Sequence, residues 1–107
     1  MPRGPYVDGR IIAGAKVIAA LDRFDLKLLL WAVSTRSRAR VLAALVDGPA
    51  TARRIIRRTG VPEVSVWRAL KELVDARLVV SRRRERGPSG KWVRVYEIAS
   101  GRRSEAP

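Results

Sequence analysis

At 107 residues and a formal net charge of +13, the chain is large enough for one hydrophobic core and too small for two. Its pI near 11.7 points to a polyanionic partner, of which nucleic acid is the commonest for a small protein. It holds no Cys and no His, which excludes disulfides, zinc-finger ligation, almost every transition-metal site and histidine general-base chemistry; with its acids scattered rather than paired, an enzyme is the weakest class, and no metal or cofactor is expected.

Asn and Gln are also absent and Met occurs at position 1 alone. That composition fits a thermophilic prokaryote or archaeon, although a GC-rich genome also favours Arg, Ala, Gly and Pro. The charge is uneven: residues 1–33 carry five Lys/Arg against three Asp/Glu, and residues 34–107 carry eighteen against seven. The N-terminal third has no uncharged run longer than Leu28 to Thr35, far short of a bilayer span, and no signal-peptide pattern. The expected location is cytoplasmic and nucleoid-associated, with no membrane partner.

Residues 1–9, with Pro2, Gly4, Pro5 and Gly9, read as an irregular arm. From Arg10 to Leu21, Ile11, Ile12, Ala15, Ile18 and Ala19 fall at helical spacing; after a break near Asp22 to Asp25, Leu26, Leu29, Leu30 and Val33 continue an apolar face. This 10–33 region is too apolar to be solvated all round. It is expected to form a homodimer interface, the alternative being that it folds back to enlarge a monomer's core.

Residues 34–99 form the next unit. Ser34 or Thr35 caps a helix from about Arg36 to Val46, which Asp47-Gly48-Pro49 ends. The stretch Trp31 to Leu45 resembles the opening helices of the ArsR-type regulators, with Ser37-Arg38-x-Arg40-Val41-Leu42 where that family has T-R-x-R-I-L. The resemblance implies dimerisation through an N-terminal helix. It does not bring metal sensing with it, because the thiolate and imidazole ligands are missing.

Thr51 is placed to cap the helix Ala52 to Thr59, with Ile55 and Ile56 inward and Arg53, Arg54, Arg57 and Arg58 exposed. After Thr59-Gly60-Val61, Pro62 fits the first turn of a helix spanning about 62–76, with Val66, Ala69, Leu70, Leu73 and Val74 inward. Val64, Trp67, Arg68 and Lys71 fall towards the opposite face, with Glu63 and Ser65 near its N-terminal end. The runs Val79 to Arg84 and Lys91 to Ala99, joined by the turn-forming Glu85 to Gly90, read as a hairpin. Residues 100–107 are a polar tail with Arg102 and Arg103.

Residues 50 to 79 with the arginine-rich hairpin resemble the winged helix-turn-helix domain of prokaryotic transcription regulators. The implied fold is mainly α with a small β-hairpin wing (α+β), preceded by one or more extra N-terminal helices. In that family the position of Ile56 is usually small, so this chain departs from the pattern at the helix crossing. The implied function is sequence-specific double-stranded DNA binding by a homodimer, with the 62–76 helix in the major groove and the 80–98 wing on the flanking backbone or minor groove. The expected DNA-binding residues are Thr51, Arg53, Arg54, Arg57, Glu63, Ser65, Trp67, Arg68, Lys71, Arg82, Arg83, Arg84, Arg86 and Lys91. Arg68 suits bidentate pairing with guanine or a phosphate contact, and Trp67 suits sugars, a thymine methyl or packing within the protein. The alternatives are a chromatin protein that coats DNA with little sequence preference and a winged-helix interaction subunit.

Overall fold

The computed structural model describes residues 9–99, apart from the side chains of residues 9–11 and 84. The arm before Gly9 and the tail from Ser100 lie outside the described residues. Five helices, α1 (Gly9–Ala20), α2 (Leu26–Ala32), α3 (Arg36–Val46), α4 (Ala52–Thr59) and α5 (Glu63–Asp75), precede strands β1 (Val79–Arg86) and β2 (Trp92–Ile98). This is the mainly α winged helix-turn-helix expected, with two additional N-terminal helices. Among the described residues no helix is long and apolar enough to cross a membrane.

Local chemistry sets most of the helix ends. Asp25 caps α2 by accepting from the Leu28 N–H at 3.3 Å, Thr35 caps α3 through the Arg38 N–H at 3.4 Å, and Thr51 caps α4 through the Arg54 N–H at 3.2 Å. At the other end of α4, Gly60 adopts the left-handed conformation (φ 71°) and returns its N–H to the Ile56 carbonyl. The buried Thr59 hydroxyl donates to the Ile55 carbonyl at 2.8 Å and accepts from the Val61 N–H at 3.1 Å, fixing the turn between α4 and α5. Pro62 stands just before the first turn of α5 rather than inside it and supplies no side-chain cap.

The core is centred where α3, α4 and α5 meet, with Leu42, Ile55, Val66, Leu70 and Leu73 fully buried. Ile56 is half-buried and packs against this cluster, so the helix crossing accommodates its bulk. Leu78 and Val79 carry the core into β1, which pairs antiparallel with β2 from Val79↔Ile98 to Arg86↔Trp92. Ala50 and Tyr96 exchange two backbone hydrogen bonds, at 3.0 and 2.8 Å, and so attach the loop before α4 to the outer edge of β2.

The expected end of the first hairpin strand needs correction. The hairpin strand does not stop at Arg84: β1 runs on through Glu85 and Arg86, with a register irregularity between Arg83 and Glu85. The turn is shorter, closed by Gly87 N–H to the Lys91 carbonyl at 2.7 Å and Gly90 N–H to the Gly87 carbonyl at 2.9 Å. Helix α1 and the residue after it pack along α3 through Ala13, Val17 and Leu21, with Ile18 against the same core, while Ile12, Ala15 and Ala19 of the apolar stripe stay exposed. Its sequence is apolar on nearly every side, so periodicity alone does not select the inward face. Val17, Leu21, Leu29 and Ala32 thus belong to the same core as the helix-turn-helix, and folding back on the domain describes this face. Ile12, Leu26, Leu30 and Trp31 stay exposed.

The bond network at the start of α3 ties the N-terminal helices to α5. Arg38 is buried; it donates to Glu72 Oε1 at 3.0 Å, to the Trp31 carbonyl at 2.8 Å and to Ser34 Oγ at 2.9 Å, with its guanidinium 4.1 Å from the Trp31 ring centre. We expect Arg38→Ala to lower stability by about 2–3 kcal/mol, as loss of charged hydrogen bonds does. Glu72→Ala should lower it by less than about 1 kcal/mol, because Glu72 is partly solvated. Urea unfolding measures both, and equal losses would show that the carboxylate, not the backbone and ring contacts, is what matters to Arg38.

Two left-handed positions carry opposite expectations. Gly60 has open space where a Cβ would stand, so Gly60→Ala costs the backbone strain alone, about 1–2 kcal/mol. Arg77, the non-glycine residue with positive φ (66°) after α5, already bears that strain, and Arg77→Gly should raise stability by up to about 1 kcal/mol. Thermal melts of the two variants should move in opposite directions.

Candidate nucleic-acid interface

Helix α5 buries Val66, Ala69, Leu70 and Leu73 and turns Val64, Trp67, Arg68 and Lys71 outward, all four exposed. Glu63 is exposed in its first turn and Ser65 is half-buried beside it. The face expected to enter a groove is therefore presented to solvent.

The arginines of α4 flank this face. Arg53, Arg54, Arg57 and Arg58 are exposed, because buried Ala52, Ile55 and Thr59 occupy the opposite side of the helix. Between α4, the start of α5 and the wing lies an open cleft of about 640 Å³. Its apolar floor comes from Ile56, Trp67, Val93 and Tyr96, and its rim from Arg53, Arg57 and Arg86, with Thr51 and Glu63 at its edges. Burial raises the Tyr96 phenol pKa above its ordinary value, with the Arg94 charge pulling the other way. The ring is therefore neutral in the physiological range.

The expected cations are not equivalent. Arg54 Nη2 lies 3.1 Å from Glu85 Oε1, joining α4 to β1, and Arg82 Nε lies 3.1 Å from Glu97 Oε2 across the hairpin. Arg86 donates to the Gly90 carbonyl at 2.8 Å and stacks on Trp92 with 4.8 Å to the ring centre, so it shapes the wing tip. Lys71 reaches Asp75 at 3.4 Å in an exposed pair of little energetic weight. Among the described residues Arg53, Arg57, Arg68, Arg83 and Lys91 make no ion pair and are exposed, which leaves their charge available. The Arg84 side chain lies outside the described residues. Thr51 spends one oxygen lone pair on its cap.

One cation escaped the sequence reading. Arg94 is exposed at the rim of the cleft and donates to Ser81 Oγ at 3.1 Å. The available signal was strand alternation, since Arg94 shares a face of β2 with Tyr96.

A family model described as the MarR family matches residues 35–88, half of the chain, and the chain belongs to this family. Its winged helix domain is that of DNA-binding transcription regulators, and such regulators are not enzymes. No curated protein matches the chain.

The Arg54–Glu85 pair provides a direct test of the interface. Both side chains are partly solvated, so Glu85→Gln should change stability by less than about 1 kcal/mol. It releases one arginine on the exposed basic face, and affinity for duplex DNA should rise, with the log–log salt slope steeper by about one for each bound subunit. Titrations at several salt concentrations measure this, and an unchanged slope would place Arg54 outside the contact.

Proposed function

We propose that this MarR-family chain is a homodimeric, sequence-specific transcription regulator that places α5 in the major groove of double-stranded DNA and the wing on the flanking backbone or minor groove. The observation carrying this reading is the outward face of α5, bearing Arg68 and Lys71, beside a cleft that it shares with the exposed Arg53 and Arg57 of α4 and the exposed wing cations Arg86 and Arg94. A protein docking module has no need of so many solvated cations around one helix face.

The dimer is supported by the exposed Ile12, Leu26, Leu30 and Trp31 on α1 and α2, and by the ArsR-type likeness of Ser37-Arg38-x-Arg40-Val41-Leu42, which implies pairing through the N-terminal helices. The absence of Asn, Gln and Cys and the single Met at position 1 support an origin at high temperature. The location that suits such a protein is the cytoplasm, on the nucleoid.

Light scattering at micromolar concentration should give a dimer for the full chain and a monomer for Leu30→Glu. Duplex affinity should fall with salt on a log–log slope of about −6 or steeper for two subunits. Selection from a random duplex pool should return a two-fold related consensus. A monomeric full chain overturns the dimer, a flat selection turns the reading towards a DNA-coating protein, and no binding at low salt turns it towards an interaction subunit.

A further inference from the structure

We infer that α5 reads the C5-methyl groups of thymine through Val64 and Trp67, so that the preferred sites carry thymine where these side chains enter the major groove. The inference rests on the reading of α5 as the recognition helix and adds a specificity determinant to it.

Val64 is 68% exposed and Trp67 47%, on a helix whose other valines and leucines are buried or half-buried. At about 100° per residue, Val64 stands at the middle of the outward face, diametrically opposite the buried Val66, Leu70 and Leu73, with Arg68 one turn further on. Val64 therefore faces the same way as Arg68. Folding gives no reason for a β-branched residue there, since an exposed helical position is better filled by a straight-chain polar one.

Trp67, three residues on, is a neighbour of Val64 on the helix surface. It sits on the wing side of α5, between the cleft shared with Ile56 and Tyr96 and a second hollow shared with Lys71, Val74 and Ser81. Together the two side chains make a small exposed apolar patch. Glu63, Arg68 and Lys71 surround it, all exposed, so the patch is far below the size of a protein-docking surface. The occupant that fits is a methyl group held between phosphates that meet Arg53, Arg57 and Arg94, which line the cleft beside Trp67. The thymine C5-methyl is the apolar feature that the four base pairs present in the major groove.

The test uses the full chain and a pool of duplexes recovered by it from random sequence. The recovered pool is synthesised twice, once with thymidine and once with deoxyuridine, which deletes the methyl group and keeps O4 and base pairing. The wild-type chain should bind the deoxyuridine pool more weakly, by about fourfold for each contacted methyl, the effect of returning one buried methyl-sized group to water. Val64→Ser changes an exposed position and should narrow this gap, and Val64→Ser with Trp67→Ala should close it while binding of the thymidine pool persists through the cations. Equal wild-type affinity for the two pools overturns the inference, and so does a full gap that survives in the double variant, which would assign the effect to DNA shape. If the full chain recovers no duplex at all, the DNA-binding reading itself fails, an outcome distinct from equal binding of the two pools.

Discussion

Arg38 is the polar constraint that, on top of a shared hydrophobic core, ties the N-terminal helices to α5. One guanidinium holds the Trp31 carbonyl at the end of α2, the Ser34 hydroxyl in the loop and the Glu72 carboxylate on α5, while its face stacks on the Trp31 ring. A charge taken this far out of water is tolerable because three of its five N–H donors are paired, one of them with a carboxylate; Nε is the buried side-chain atom without a partner among the described residues. The planar fork matters, since a lysine in its place offers a point charge and no surface to lay on the indole. Trp31 and Leu30 are adjacent on the exposed apolar side of α2.

The acids are distributed so that they settle structure and leave the interface basic. Asp47 holds Lys16 of α1, Glu72 holds Arg38, and Glu97 holds Arg82 at the base of the hairpin. Glu85 alone among these reaches from the wing to α4, and its partner Arg54 is one of four exposed arginines on that helix. The pair orients the wing against α4 at the cost of one interfacial charge. Glu63 remains an exposed acid at the entrance of α5, where it favours the positive end of the helix dipole and disfavours any phosphate placed too close.

What could be read from the sequence was what local chemistry decides. The bounds of α3 and α4 follow from Thr35, Asp47-Gly48-Pro49, Thr51 and Gly60, each acting within one turn of itself, and the outward set on α5 follows from strict 3.6-residue spacing. What could not be read depends on contacts distant in sequence. The inward side of α1 is chosen by α3, some twenty-five residues later, because α1 is apolar enough to pack on either side. The extension of β1 through Glu85 and Arg86 is secured by Arg54 and by the turn closing at Gly87, not by strand propensity. Arg38 sits in a stretch whose other arginines are more solvated, and nothing local marks it for burial. Arg77 shows the same limit at the backbone level, since α5 ends in a left-handed residue that is not the glycine such an ending favours.

The uneven charge gives the proposed assembly its physical logic. Residues 1–33 carry five basic and three acidic side chains, so the surface bearing Ile12, Leu26, Leu30 and Trp31 is close to neutral although the chain as a whole is at +13. Two such chains repel through their DNA-facing parts, and a contact made through the near-neutral third keeps those parts separated by the body of each domain. Apolar burial between the N-terminal helices is weakly sensitive to salt, whereas contacts to phosphate are strongly sensitive. In the proposed assembly, self-association and DNA binding are thus governed by different forces on different helices, which are joined by one shared core and by the Arg38 contact from Trp31 to Glu72.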